Sequence, residues 1–92
     1  MLRISRDNAN DGSVTLRLEG EISGPWVDET SRLCEGIIAN GQRLRIDLAD
    51  VTFADRTGVE LLGNLRTRRA VLDHCSPFLS AQLQLNGNAK DG

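Results

Sequence analysis

Apolar and polar residues alternate along three stretches of this 92-residue chain, and the alternation predicts three β-strands that each have one buried face. Charged or hydroxyl-bearing residues occupy the positions between, so we expect the other face of the sheet to be solvated. The polar segment 7–13 predicts a hairpin between the first two strands. The apolar positions are Leu2 and Ile4, then Val14, Leu16 and Leu18, then Leu44, Ile46 and Leu48, with Val51 and Phe53 extending the third strand.

Apolar side chains spaced three and four residues apart predict helices after the second and third strands. Gly24-Pro25 begins the first helix, because proline at the first helical position loses no needed N–H, and Gly41 ends it. A second helix follows residues 55–58, and Ser76-Pro77 begins a last one. The inward positions are Trp26, Thr30, Leu33, Cys34, Ile37 and Ile38; Val59, Leu61, Leu62 and Leu65; and Phe78, Leu79, Leu83 and Leu85.

The order of these elements predicts the fold class. A strand–helix–strand unit forms a right-handed crossover between parallel strands, and the apolar run 70–72 predicts a short fourth strand. We therefore expect an α/β fold with a small, mixed, four-stranded sheet and about three helices chiefly on one face. Residues 1–85 should form a single domain, and the polar residues 86–92 are expected to be a disordered tail.

Composition and charge exclude several classes of function. A formal net charge of −2 gives no long-range attraction to nucleic acid or to anionic lipid, and we read the cluster Arg66, Arg68 and Arg69 as a helix end. No apolar stretch approaches the roughly 20 residues of a membrane span, and no export signal is visible, so we expect a cytoplasmic protein. Two cysteines and one histidine make a poor zinc site, and no cofactor is expected.

One segment carries a family resemblance. The strand 44–53 is followed by Ala54-Asp55-Arg56-Thr57-Gly58 and then by the leucine-rich start of a helix. This pattern is similar to the signature of STAS domains, in which an apolar strand precedes Asp-Ser-Ser/Thr-Gly and a helix. The resemblance covers roughly residues 2–85. It implies a bacterial protein-interaction module like the anti-sigma-factor antagonists, whose partner is a kinase-like anti-sigma factor.

The turn can also be interpreted from its chemistry alone. Asp55 precedes a helix, where its carboxylate can accept hydrogen bonds from unpaired N–H groups. Gly58 leaves the backbone uncovered, so that a partner or a neighbouring strand can approach closely. In the family, the serine after the aspartate accepts a phosphate; here that position is Arg56, which puts the usual switch in doubt. Thr57 is the remaining candidate phosphoacceptor, and its hydroxyl is equally suited to capping the helix.

No arrangement of residues indicates an enzyme. Asp47, Asp50 and Asp55 have no matched base or glycine-rich phosphate loop, and His74 and Cys75 are neighbours on a strand, whose side chains point to opposite faces. Two other functions stay open: an accessory subunit that docks on the ATPase of a lipid-transporting ABC system, and a sensor of nucleotide or another small ligand. The predicted partner-binding residues are Asp55, Arg56, Thr57, Gly58, Glu60, Asn64 and Arg66.

Overall fold

The computed structural model describes residues 1–83, and within them the predicted elements are present in the predicted order. The predicted boundary at residue 85, the tail 86–92 and the predicted core position Leu85 lie outside the described residues. A third helical segment, α3, covers residues 77–83. The other elements are β1 (Leu2–Asn8), β2 (Val14–Ile22), α1 (Pro25–Ala39), β3 (Leu44–Ala54), α2 (Arg56–Thr67) and β4 (Val71–Asp73).

The four strands form one mixed sheet in the order β1-β2-β3-β4. β1 and β2 are antiparallel, whereas β2 and β3, and then β3 and β4, are parallel. The two parallel pairs are joined by α1 and α2, since parallel neighbours need a long crossover connection. The predicted α/β fold with a mixed four-stranded sheet is confirmed.

The core lies between one face of the sheet and the helices. Leu16, Leu18 and Ile46 point into it from the strands and are fully buried, as are Cys34 of α1 and Leu62 of α2. Burial raises the pKa of the Cys34 thiol to about 11, so this cysteine is an unreactive core residue.

The opposite face of the sheet carries ion pairs between neighbouring strands. Arg17 Nη2 lies 2.7 Å from Asp50 Oδ2, and Arg45 pairs with Asp73. His74 Nδ1 lies 3.0 Å from Asp47 Oδ1. These groups are partly or largely exposed, so each pair contributes little to stability, but together they confirm that this face is solvated.

Two irregularities in β3 change which side chains it buries. Arg17 and Glu19 of β2 pair with Asp47 and Asp50, so β3 has one extra residue there, and a second shift follows Gly20. The first bulge brings Val51 to the buried face, and the second returns the next odd-numbered side chain to the solvated face. Phe53 is consequently 44% exposed, and the prediction that it extends the core is wrong.

Candidate functional site

The site is built around the turn between β3 and α2. Asp55 is the N-cap of α2, and its Oδ1 accepts hydrogen bonds from the Gly58 N–H and from the Thr57 hydroxyl, each at 2.8 Å. The carboxylate therefore satisfies one of the N–H groups that a helix leaves unpaired at its start. The Thr57 hydroxyl serves this cap by donating to Asp55 rather than to the backbone.

Asp55 also connects this turn to the turn that begins α1. Its Oδ2 accepts a hydrogen bond from the Gly24 N–H at 3.1 Å, and its own N–H donates to the Ile22 carbonyl at 3.1 Å. The hydrogen bond from Gly58, followed by those from Thr57 and Gly24, holds the pKa of the Asp55 carboxyl below its usual range. One ionised side chain thus holds together the starts of both crossover helices.

Gly58 is required by the closeness of β2. A Cβ atom at this position would lie 2.5 Å from the Ile22 carbonyl oxygen and 3.1 Å from the Ile22 Cγ2 atom. The neighbour that approaches the bare backbone is therefore the end of a strand of the same molecule. Gly58 is buried and offers no side chain to a partner, so its place in the site is structural.

Arg56 points into solvent from the turn, with a side chain that is 92% exposed. Its Nε atom lies 3.6 Å from Glu60 Oε2, one helical turn further along α2. Asn64 lies one turn beyond Glu60 and is also exposed. Residues four apart share one side of a helix, so these three form a continuous outward row, here called the α2 row (Arg56, Glu60 and Asn64).

The structure separates Arg66 from the other predicted contact residues. Residues two apart in a helix do not face each other, and Arg66 follows Asn64 by two positions. Arg66 is exposed in the last turn of α2, which agrees with its interpretation as a basic helix end. Arg68, the C-cap residue, pairs with Glu35 of α1.

The sequence did not point to Gly24 as part of this site. Gly24 precedes Asp55 by 31 residues, and only the fold brings its N–H to the carboxylate. Trp26, two residues further on, is 37% exposed beside this junction. Trp26 was predicted to lie on the inward face of α1, and the structure leaves it partly exposed.

The described part of the chain contains no group of three or more histidine, cysteine, aspartate or glutamate side chains that could hold a metal ion. Within residues 1–83, no helix is long and apolar enough to cross a membrane. Surface depressions lie at the other end of the sheet, around residues 11–13 and 41–45.

Comparison with known proteins places this geometry in a family. The model of the STAS domain matches residues 6–70. The anti-sigma-factor antagonist SpoIIAA in its unphosphorylated form is 22% identical, with a TM-score of 0.73, over 89% of this chain and 82% of its own. The phosphorylated form of the Bacillus cell-fate determinant SpoIIAA gives the same identity and TM-score over 92% and 84%.

A more distant structure, an uncharacterised Shewanella loihica protein with a SpoIIAA-like fold, is 12% identical, with a TM-score of 0.56, over 77% of this chain and 64% of its own. At these identities the structural likenesses establish the fold alone. None of the curated protein sequences matches this chain significantly. The family model covers more than two thirds of the chain, including the capped turn and all of α2, and so the chain belongs to the STAS domain family.

Proposed function

We propose that this chain is a non-enzymatic protein-binding module that acts as an anti-sigma-factor antagonist, and that its partner is a kinase-like anti-sigma factor. The observation that carries the proposal is the outward α2 row, which begins at a turn held rigid by Asp55. The contact surface would comprise Arg56, Glu60, Asn64 and the exposed Thr57. A preformed turn favours binding because little conformational freedom is lost on association.

Arg56 would change how such an interaction is regulated. SpoIIAA exists in phosphorylated and unphosphorylated forms. In this chain the residue after the capping aspartate is a guanidinium, which is positively charged at every physiological pH. A phosphoserine in the same place would carry nearly two negative charges. We therefore propose that the abundance of the partner or a third protein, and not serine phosphorylation, controls binding here.

Thr57 is the remaining candidate phosphoacceptor in this turn, but its contacts argue against that role. Its hydroxyl donates to Asp55 Oδ1 at 2.8 Å, so a phosphoryl group there would stand beside a carboxylate and remove a hydrogen bond of the cap. Phosphorylation of Thr57 would consequently work against the fold of the turn. This argument supports a capping role for Thr57 and a regulation that does not depend on its modification.

Charge reversal on the α2 row tests the contact surface. Arg56→Glu should weaken capture of the anti-sigma factor by at least about tenfold, since it reverses the charge at the exposed start of the α2 row and sets a second carboxylate beside Glu60. Arg43→Glu makes the same change in charge at the other end of the sheet and should leave capture unchanged. Affinity measurements with purified partner, after pull-down from native cell extract, give the comparison.

The same pull-down separates the other functions. If wild-type protein retains an ABC-system ATPase and no kinase-like protein, the accessory-subunit function replaces the proposed one. Incubation with the cognate kinase and ATP tests the regulation separately. Stoichiometric phosphate on any residue would contradict the proposal that binding is controlled without phosphorylation. It would not contradict the proposed contact surface.

A further inference from the structure

β1 is an edge strand of the sheet that residues 1–83 form. β1 is the first strand in the sheet order, and among residues 1–83 only β2 pairs with it. The strand is seven residues long, and five of these residues are exposed. A strand edge of this length presents a row of backbone donors and acceptors on which another strand can pair.

The hydrogen bonds at the two ends of the hairpin show which groups point outward. Glu21 N–H donates to the Met1 carbonyl at 3.0 Å, and Ala9 N–H donates to the Ser13 carbonyl at 2.9 Å. In an antiparallel pair, residues that bond to the neighbouring strand alternate with residues that do not. The odd-numbered residues of β1 thus bond to β2, and the even-numbered ones direct their N–H and C=O groups away from the sheet.

We propose that β1 pairs antiparallel with β1 of a second copy of this chain, with the two-fold axis at Ser5. In this register Leu2 lies opposite Asn8 of the second copy, and Ile4 lies opposite its Arg6. These are the even-numbered residues, whose backbone groups are free to bond across the interface. The two four-stranded sheets then join into one continuous sheet of eight strands.

Charge selects this register. Arg3, Ser5 and Asp7 share the solvated face, because Ser5 pairs with the exposed Arg17 whereas Ile4 pairs with the buried Leu18. With the axis at Ser5, Arg3 of each copy lies opposite Asp7 of the other, and opposite charges across strands are stabilising. An axis at Arg6 would instead place two arginines opposite each other.

One contact opposes the pairing. On the helix side, Arg6 of one copy is diagonal to Arg6 of the other, within reach of long side chains. In the single chain the Arg6 Nε atom donates to Asn8 Oδ1 at 3.0 Å, which holds the guanidinium toward the end of the strand. Removing this side chain should therefore strengthen association, provided that the backbone N–H is kept.

The partner is a second copy because the strand is complementary to itself. A two-fold pairing of β1 with β1 closes after two molecules, whereas pairing of β1 with β4 would leave open edges and continue into filaments. β4 is also only three residues long and ends at Asp73, because the next residue, His74, has a φ of 58° that turns the chain out of the strand. The long, self-complementary edge of β1 and the short edge of β4 thus favour a closed dimer over a filament.

Two substitutions at Arg6 test the pairing by sedimentation velocity at up to about 1 mM protein. Arg6→Pro removes an outward N–H that β2 does not use and blocks the edge, so the dimer should be lost. Arg6→Thr loses the same side chain but keeps the N–H, and it should dimerise at least as tightly as the wild type. The proposal is overturned if the wild type stays monomeric over this range or if both variants associate equally.

Charge exchange gives a second test that does not depend on proline. Arg3→Asp and Asp7→Arg should each weaken self-association by at least about tenfold, because like charges then face each other at both ends of the interface. Mixing the two variants restores both attractions, and a mixed dimer should form. Failure of the mixture to associate would overturn the register, whatever the thermal stability of each variant.

The dimer and the proposed function can fail separately. α2 packs over β3 and β4, away from β1, so pairing leaves the α2 row open on each copy. Arg6→Pro should accordingly keep the affinity of a single site for the anti-sigma factor. Loss of the dimer with retained partner binding supports both proposals.

Discussion

At the scale of single residues, the turn at Asp55 is held by two different kinds of requirement. The aspartate accepts hydrogen bonds from three donors, two in its own turn and one at Gly24. Gly58 has no side chain, and this leaves room for the backbone of β2 where it comes closest. The turn therefore depends both on the charge of Asp55 and on the missing side chain of Gly58, and a substitution can change each one separately.

Gly58→Ala should lower the free energy of unfolding by about 1–3 kcal/mol, since the new methyl group would overlap with the Ile22 backbone. Gly36→Ala is the matched control, because a Cβ at that position of α1 meets no atom within 4 Å. It should stabilise the protein by about 0.5–1 kcal/mol, as alanine is the better helix former. Urea denaturation of both variants would contradict this account if their effects had the same sign.

Asp55→Asn tests the charge. The folded-state pKa of Asp55 is lowered, so its ionised form contributes stability above the unfolded-state pKa of about 3.9, and this contribution is lost as the pH falls through the folded-state value. The variant should be less stable than the wild type at about pH 7, and the difference should shrink below about pH 4. Urea midpoints across this range measure it, and a difference independent of pH would exclude the mechanism.

At the scale of elements, β3 shows how a strand can change which face it buries. Leu48 and Val51 are both buried on either side of the first bulge, whereas Phe53, two residues after Val51 but beyond the second bulge, is 44% exposed. The bulges fall in the half of the strand that leads into the Asp55 turn. The exposure of an aromatic side chain close to this turn is one result.

Leu48→Ala should therefore destabilise the protein more than Phe53→Ala, although phenylalanine has the larger side chain. Leu48→Ala should cost about 2–5 kcal/mol of stability, since it leaves a cavity in the core. Phe53→Ala should cost no more than about 1 kcal/mol, because much of the ring already contacts water. A larger loss for Phe53→Ala, measured by chemical denaturation, would place the ring in the core after all.

At the scale of the whole molecule, the features that sequence predicted well are those that depend on the spacing of neighbouring residues. The alternation at Leu44, Ile46 and Leu48 and the Gly24-Pro25 signal each depend on a few neighbouring residues, and the order of elements then leaves few topologies. The Asp55 cap and the exposed position of Arg56 are local in the same sense.

What sequence could not predict depends on the register between strands. The first extra residue of β3 has a sequence signal, because the apolar spacing changes from two residues to three between Leu48 and Val51, but the second has none, because Val51 and Phe53 are again two apart. The bond from Gly24 to Asp55 spans 31 positions and exists only once β2 and β3 are side by side. The separation of Arg66 from Asn64, in contrast, follows from the helical repeat alone, because residues two apart in a helix do not face each other.

The bond between Gly24 and Asp55 also gives the molecule its own optical reporter. Trp26 is the single tryptophan of the chain, stands two residues after Gly24 and is partly open to solvent. A ligand that displaces the Asp55 carboxylate from the Gly24 N–H would release the start of α1, two residues from the indole. The tryptophan emission of an unlabelled sample should therefore respond to ligands that open the contact between the two turns.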